Sequence, residues 1–323
     1  MTDSSATSQP AHTFGPVPSR RFGQSLGLNT IPPKTCTYSC VYCQVGNTSR
    51  LTLQRERHTD PGELAADVKA VLKKLAETGQ HVDYLTFVPD GEPTLDSGLA
   101  NQIDLLKPLG VPLAVITNSS LLTRSAVRDA VVRADRVSVK IDAVRYDTWR
   151  AIDRPHGDLR LEEILDGVVQ FSRDYKGELD TETMLVRGIN DSLDDAKPLA
   201  AFLEWVTPSR SYVSIPTRPP AVPEVERPDE ESLIAMYDTL SRSVAQVEML
   251  TGFEGSEFAR TGNAEADILA ITAVHPMRAD QVERLLEEED SSMDLVEWMV
   301  RQEKLRSVIY QGQRFFIRRF SRH

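Results

Sequence analysis

Cysteine is nearly absent from this 323-residue chain: Cys36, Cys40 and Cys43 are the only three. So few thiols exclude a disulfide framework, and their clustering points to a metal in a reducing compartment. Long apolar runs are missing as well. No stretch reaches the roughly 18 to 20 residues that a membrane-spanning helix needs. The opening MTDSSATSQPAHT has neither the basic region nor the apolar core of a secretion signal, so the expected location is the cytoplasm, away from any membrane. Positive charge is in deficit, with 37 Lys and Arg against 48 Asp and Glu and a formal net charge of −11. Such a chain exerts no general pull on nucleic acid.

What is present is ordinary globular material, 40% hydrophobic and 26% charged, enough for one large domain and a small one. Residues 1–13 are small and polar and read as a disordered tail. From about 24 to 217, β-rich segments alternate with helical ones, which predicts parallel strands joined by helical crossovers. Strands are expected at 25–29, 84–88, 113–118, 136–142, 181–186 and 212–216. The fold class is therefore α/β, a partial βα barrel of about six parallel strands over 14–250. In such barrels functional groups gather at the C-terminal ends of the strands. There the sequence carries Asp90-Gly91-Glu92-Pro93, Thr117-Asn118-Ser119, Lys140 with Asp142, and Pro216-Thr217-Arg218. In RVSVKID a period of two separates Val137, Val139 and Ile141 from Ser138, Lys140 and Asp142. The polar side implies a site, although an edge strand with one solvated face would look the same. A link is expected at 251–263. Beyond it, three helices and a hairpin turning at Gln311-Gly312 describe a small winged-helix domain over 264–323.

The cysteines follow a C-x3-C-x2-C spacing behind Pro32 and Pro33, which makes a helix there improbable and a loop after the first strand the natural reading. Thiolates are soft ligands suited to iron–sulfur clusters, and a four-iron cluster normally takes four of them. Three leave one iron open for a cosubstrate. Structural zinc would need a fourth ligand, and the nearest histidine, His58, lacks finger-like spacing.

CTYSCVYC resembles the cluster motif of radical S-adenosylmethionine (SAM) enzymes, whose fold is a partial βα barrel. The resemblance implies a [4Fe-4S] cluster on Cys36, Cys40 and Cys43. It also implies reductive cleavage of SAM to a 5′-deoxyadenosyl radical, and an external flavodoxin- or ferredoxin-like electron donor. Gly91-Glu92-Pro93 is similar to the family's glycine–glutamate motif, which holds the SAM amino group; Asp90 stands where the first glycine is usual. Tyr42 resembles the aromatic residue near adenine. Thr117, Asn118 and Ser119 fall where ribose or the SAM carboxylate is bound, and Lys140 and Asp142 where the far side of the site is shaped.

FGPVPSRRFGQSLGLN, RPHG (154–157), MLVRGIND and PTRPPA extend the resemblance toward wyosine-type tRNA-modifying enzymes over about 13–250. Those enzymes bind a second cluster through additional cysteines, which this chain lacks, so the relation guides fold and cofactor rather than substrate. RNA remains a candidate substrate. Arg20, Arg21, Arg154, His156, Arg187 and Arg218 could form a basic mouth for an anion, with Arg187 and Arg218 the first candidates to face substrate. The third C-terminal helix carries Asp294, Glu297 and Glu303, which argues against sequence-specific DNA reading. Arg306, Arg314, Arg318, Arg319 and Arg322 make the hairpin and tail more basic, a place for a phosphate backbone or a protein to dock. Two other readings remain open: an iron–sulfur redox sensor acting through the winged helix, and an RNA-binding adaptor that keeps SAM as a structural ligand.

Overall fold

The computed structural model describes residues 12–252, 258 and 262–319. The expected tail at 1–13 and link at 251–263 fall largely outside them, and Phe320 and Arg322 lie outside as well. Two strands open the fold, β1 (Thr13–Ser19) and β2 (Gly23–Leu28), paired antiparallel. The cysteine segment follows, where Thr35–Cys36 (β3) pairs in parallel with Arg50–Leu51 (β4). Strands β5 (Tyr84–Phe87), β6 (Leu113–Thr117), β7 (Arg136–Lys140), β8 (Glu178–Met184), β9 (Arg210–Ser214) and β10 (Val247–Leu250) complete one eight-stranded sheet, in the order β1-β2-β5-β6-β7-β8-β9-β10. From β2 to β10 every pairing is parallel. The sheet is curled and partly open, a partial barrel.

All six expected strands are present, and the sheet gains two that the sequence did not announce. Strand β1 carries Pro16 and Pro18, which an edge position tolerates because no neighbour needs their missing N–H groups. Strand β10 is four residues long and closes the far edge of the sheet beside β9.

Helices cover the outer face of the sheet: α1 (Pro61–Glu77), α2 (Leu99–Leu106), α3 (Ser125–Val131), α4 (Tyr146–Asp153), α5 (Leu161–Asp174), α6 (Leu193–Val206) and α7 (Glu230–Leu240). Their placement follows from local sequence. In α1, Asp60 caps the N-terminus by accepting from the Gly62 and Glu63 amides, Pro61 starts the first turn, and Leu64, Val68, Val71 and Leu75 are buried on one stripe. That stripe packs on Leu26, Leu85, Phe87 and their neighbours in the main core. Val137, Val139 and Ile141 of RVSVKID enter the same core, and β7 is a central strand rather than an edge.

The C-terminal region contains α8 (Ala264–Val274), β11 (Met277–Arg278), α9 (Ala279–Glu288), α10 (Met293–Arg301), β12 (Leu305–Tyr310) and β13 (Gln313–Arg318), with its three strands in the order β11-β13-β12. Gln311 and Gly312 both take positive φ at the β12–β13 turn, as a two-residue hairpin connection requires. The region has its own core, which also takes in Phe14 and Val17 of β1. Phe315 and Phe316 are fully buried core residues. Of the basic residues here, Arg314 pairs with Glu297, Arg319 with Glu303, and Arg318 donates to the Leu269 carbonyl. No described helix is long and apolar enough to cross a membrane.

Candidate active site

The cysteine loop is fastened by its backbone on two sides. Lys34, at φ 60°, donates its amide to the Asp90 carbonyl, and its own carbonyl accepts from Ser49 and Arg50. Ser39 and Val41 donate to the Asp153 and Ile152 carbonyls at the end of α4, and the His156 amide reaches the Thr37 carbonyl. Beneath the loop, the buried Trp149 indole donates to the Tyr38 hydroxyl at 3.1 Å. These bonds hold three half-buried, unbridged cysteines on one cavity of about 330 Å³, a volume in the range of small-ligand sites. Its wall also includes Arg21, Lys34, Asp90, Gly91, Lys140 and Glu182.

Each thiol has a distinct environment. Asn118 Nδ2 lies 3.5 Å from Cys36 Sγ, and Cys40 Sγ donates to Asp153 Oδ1 at 3.3 Å. Burial, then the Glu92 carboxylate, pushes the Cys36 thiol up to about 12. Burial followed by Asp153 raises Cys40, while burial raises Cys43 against the opposing pull of the Val45 amide and the Lys34 ammonium. Without a metal all three are therefore held as thiols. Among the described residues no three His, Cys, Asp or Glu side chains are arranged to hold a single metal ion, and His58 is not part of the cavity wall. Three soft donors on one face, with no fourth, fit a cluster that keeps an open iron.

The Asp90-Gly91-Glu92-Pro93 turn divides its functions. Gly91 touches the cysteine loop so closely that a Cβ would lie 2.0 Å from the Thr35 carbonyl oxygen, while the Glu92 amide donates to that same oxygen. The Glu92 carboxylate is turned into the protein. It accepts from the Thr94 amide and hydroxyl, the Thr117 hydroxyl at 2.6 Å and the Asn118 amide at 2.8 Å. Pro93 is buried at the start of a short 3-10 turn. The cavity-facing members are instead Gly91 and Asp90. Asp90 is fully buried, and neither carboxylate oxygen has a well-aligned hydrogen-bond donor; the Lys34 ammonium stands 3.2 Å away as its ion-pair partner. Burial, only partly offset by Lys34, raises its carboxyl to about 6.

The ends of β6 and β7 form a second knot. Ser119, at φ 70°, donates to the Lys140 carbonyl, and Asn118 Oδ1 accepts from the Ser120 amide and hydroxyl. The Tyr42 hydroxyl donates to Asp142 Oδ2, whose other oxygen accepts from the Met184 amide. Lys140 lies over the Tyr42 ring at 4.9 Å and pairs with Glu182. Burial alone would favour the neutral amine, but Asp142 and Glu182 hold Lys140 above its ordinary value, as an ammonium. Tyr42, Lys140, Asp142 and Ser119 are thus brought together by these contacts; Tyr42 and Lys140 line the cavity of about 330 Å³, whereas Thr117, Asn118, Ser119 and Asp142 do not.

The basic mouth divides. Arg20, Arg21 and Arg218 line the cavity. Arg187 does not: it is exposed and pairs with Glu226 at 3.4 Å. Arg154 is an exposed residue at the end of α4, and neither it nor His156 reaches the wall. Arg218 donates to Gln44 at 2.9 Å, beside Cys43, and meets His275 Nε2 at 2.9 Å. Sequence reasoning missed Lys34, Glu182, Asp153, Trp149 and His275. Glu182 left a trace, since Asp180 and Glu182 recur with a period of two inside a strand; the other four have no local signature.

A family model described as the Radical SAM superfamily matches residues 30–200. The UPF0026 protein MJ1312 of Methanocaldococcus jannaschii is 42% identical over 307 residues, covering 94% of this chain and 95% of that protein. Among solved structures, TYW1 with a lysine-pyruvate adduct bound is 17% identical with a TM-score of 0.50, covering 68% of this chain and 74% of that one. A radical SAM methyltransferase from Sphaerobacter thermophilus is 17% identical with a TM-score of 0.51, covering 70% and 66%. At these identities the structural matches establish the shared fold.

Proposed function

The chain belongs to the radical SAM superfamily and is an iron–sulfur enzyme of that type, and on this premise we propose that Cys36, Cys40 and Cys43 hold one [4Fe-4S] cluster that takes SAM at its open iron. The observation that carries the reading is the convergence of three unbridged cysteines, from one loop, on a cavity with no fourth ligand. When bound, the cluster supplies the electron that breaks the sulfonium carbon–sulfur bond, giving a 5′-deoxyadenosyl radical that takes a hydrogen atom from substrate.

The residues around it have separate tasks. Gly91 lets backbone approach the cavity, and Asp90 offers a carboxylate to a donor group there. Glu92 and Pro93 support that turn from behind, Glu92 by tying it to Thr117 and Asn118. Tyr42, fixed by Asp142 and covered by Lys140, forms a flat wall beside the cysteines, and Ser119 sets the turn beneath Lys140. Held as an ammonium, Lys140 serves as a fixed positive charge rather than an amine nucleophile. Arg218 stands near a substrate's path, while Arg187 is engaged with Glu226 away from the cavity. RNA and smaller anions are the substrate candidates that a wall containing Arg20, Arg21 and Arg218 supports. We read the main core as that of a barrel over 14–250 and the C-terminal core as that of a winged helix over 264–323, with a flavodoxin- or ferredoxin-like protein as the electron source.

The test is anaerobic reconstitution with iron and sulfide, then dithionite and SAM, with 5′-deoxyadenosine measured against Cys40→Ala. Deoxyadenosine formed only by the intact cysteine set supports the enzyme reading. SAM that binds to a reduced cluster and is never cleaved, with RNA and small anions present, overturns it in favour of a sensor or adaptor.

A further inference from the structure

Asn118 was expected at the cofactor's ribose or carboxylate, yet its amide is engaged elsewhere. Oδ1 accepts from the Ser120 amide at 3.1 Å and from the Ser120 hydroxyl at 2.7 Å. Two donors on that atom identify it as the oxygen and place both hydrogens of Nδ2 on the opposite side. There Nδ2 donates to Thr37 Oγ1 at 2.7 Å and points at Cys36 Sγ at 3.5 Å. The Thr37 and Ser120 hydroxyl oxygens lie 2.7 Å apart, and because the single Ser120 hydrogen is on Asn118 Oδ1, the Thr37 hydroxyl donates to Ser120 Oγ, which closes a ring of three side chains. Thr37 and Ser120 are fully buried, so water does not compete for these bonds. The backbone of Asn118 is pinned as well, through its amide on the buried Glu92 carboxylate at 2.8 Å. An amide whose rotation is blocked on every side cannot swing to follow a ligand, and it keeps one N–H on the sulfur.

Resting on the reading that Cys36 carries the cluster, we propose that Asn118 is a positioning residue that sets the cluster's reduction potential through an N–H···S hydrogen bond to the Cys36 sulfur. The physical basis is charge. Reduction adds an electron to the cluster and its thiolates, so a donor on sulfur stabilises the reduced form more than the oxidised one. In a buried setting that difference is not screened by solvent. The cysteines differ in what they meet: Cys40 Sγ donates to the Asp153 carboxylate, whereas Cys36 Sγ has the Asn118 amide directed at it.

The test uses full-length reconstituted protein without SAM. Spectroelectrochemical titration followed by electron paramagnetic resonance gives the midpoint potential of wild type and Asn118→Leu. The expected result is a lower midpoint in the variant, by roughly a tenfold shift in the reduction equilibrium, about 59 mV for one electron. Pulsed resonance on wild type labelled with 15N-asparagine should show a nitrogen coupling to the reduced cluster that the variant lacks. Ser120→Ala serves as the control for a merely structural role, because it loosens the same ring and leaves the N–H on sulfur. An unchanged midpoint with an intact cluster, an equal fall in Ser120→Ala, or no asparagine coupling in wild type would each overturn the inference. The wild-type coupling still decides it if Asn118→Leu fails to assemble a cluster. A wild type that assembles no cluster at all refutes instead the functional reading on which the inference rests.

Discussion

Lys140 and Glu182 stand directly opposite each other in the parallel pairing of β7 with β8, with Nζ 3.2 Å from Oε1, and Arg21 closes on the same carboxylate from the β1–β2 connection. Two cations thus share one anion at the cavity floor. Burial alone would raise the Glu182 carboxyl, but Arg21 and Lys140 outweigh it and hold it at about 2.

A pH-dependent stability follows from that depression. A carboxyl lowered on folding contributes fully above its unfolded value and loses the contribution as pH falls through the folded value. For Glu182 the window runs from 4.5 down to about 2, and the shift corresponds to about 3 kcal/mol. Urea denaturation of wild type and Glu182→Gln between pH 7 and 2 should show a wild-type advantage of that order near neutrality that vanishes toward pH 2. A difference independent of pH would mean that the carboxylate is not held by its two cations.

Gly91 leaves no room for a side chain. With a Cβ placed 2.0 Å from the Thr35 carbonyl oxygen, a backbone atom that cannot turn aside, Gly91→Ala must separate the cysteine loop from the β5 turn. Iron content after reconstitution should fall severalfold, with a loss of stability of about 1–3 kcal/mol or more. Gly110→Ala, where nothing lies within 4 Å, should retain full iron content and show only the modest strain of its positive φ.

Trp149 supports the loop from below. It is 2% exposed, and its indole nitrogen bonds the Tyr38 hydroxyl. Trp149→Ala should cost about 3–5 kcal/mol as a buried aromatic deletion, and Trp149→Phe about 1 kcal/mol for the hydrogen bond. If the bond matters to the loop, Trp149→Phe should also release iron faster to a chelator at unchanged folding yield; equal release rates would separate stability from cluster retention.

Stripping the metal should leave sluggish thiols. Burial, then Glu92, raises Cys36 to about 12, so alkylation of Cys36 in metal-free protein should be far slower at pH 7.5 than that of a free thiol. Its rate should keep rising about tenfold per pH unit to pH 10 and beyond, because only the thiolate reacts. Glu92→Gln removes the second cause and should speed the reaction; a plateau near pH 9 would show that Cys36 is not held as a thiol.

Sequence by itself determined whatever rests on short-range pattern. The C-x3-C-x2-C spacing identified the thiols, and the period of two in RVSVKID sorted Val137, Val139 and Ile141 into the core and Lys140 toward the cavity. Gln311-Gly312 marked the terminal hairpin. These features are legible because strand and helix periods, caps and tight turns depend on a handful of neighbouring residues.

Tertiary structure decided who meets whom. The Glu92 carboxylate turned away from the cavity because Thr117 and Asn118 arrive from another strand with donors, which left Asp90 to face the site. Arg218 reached the cavity while Arg187 did not, since Glu226 lay within reach of the latter. His275 joined the wall only because the C-terminal region packs on Phe14 and Val17 of β1. Long-range pairings of this kind depend on sheet order, closure and burial, which set the distance between charges far apart in the chain. No local period encodes that distance.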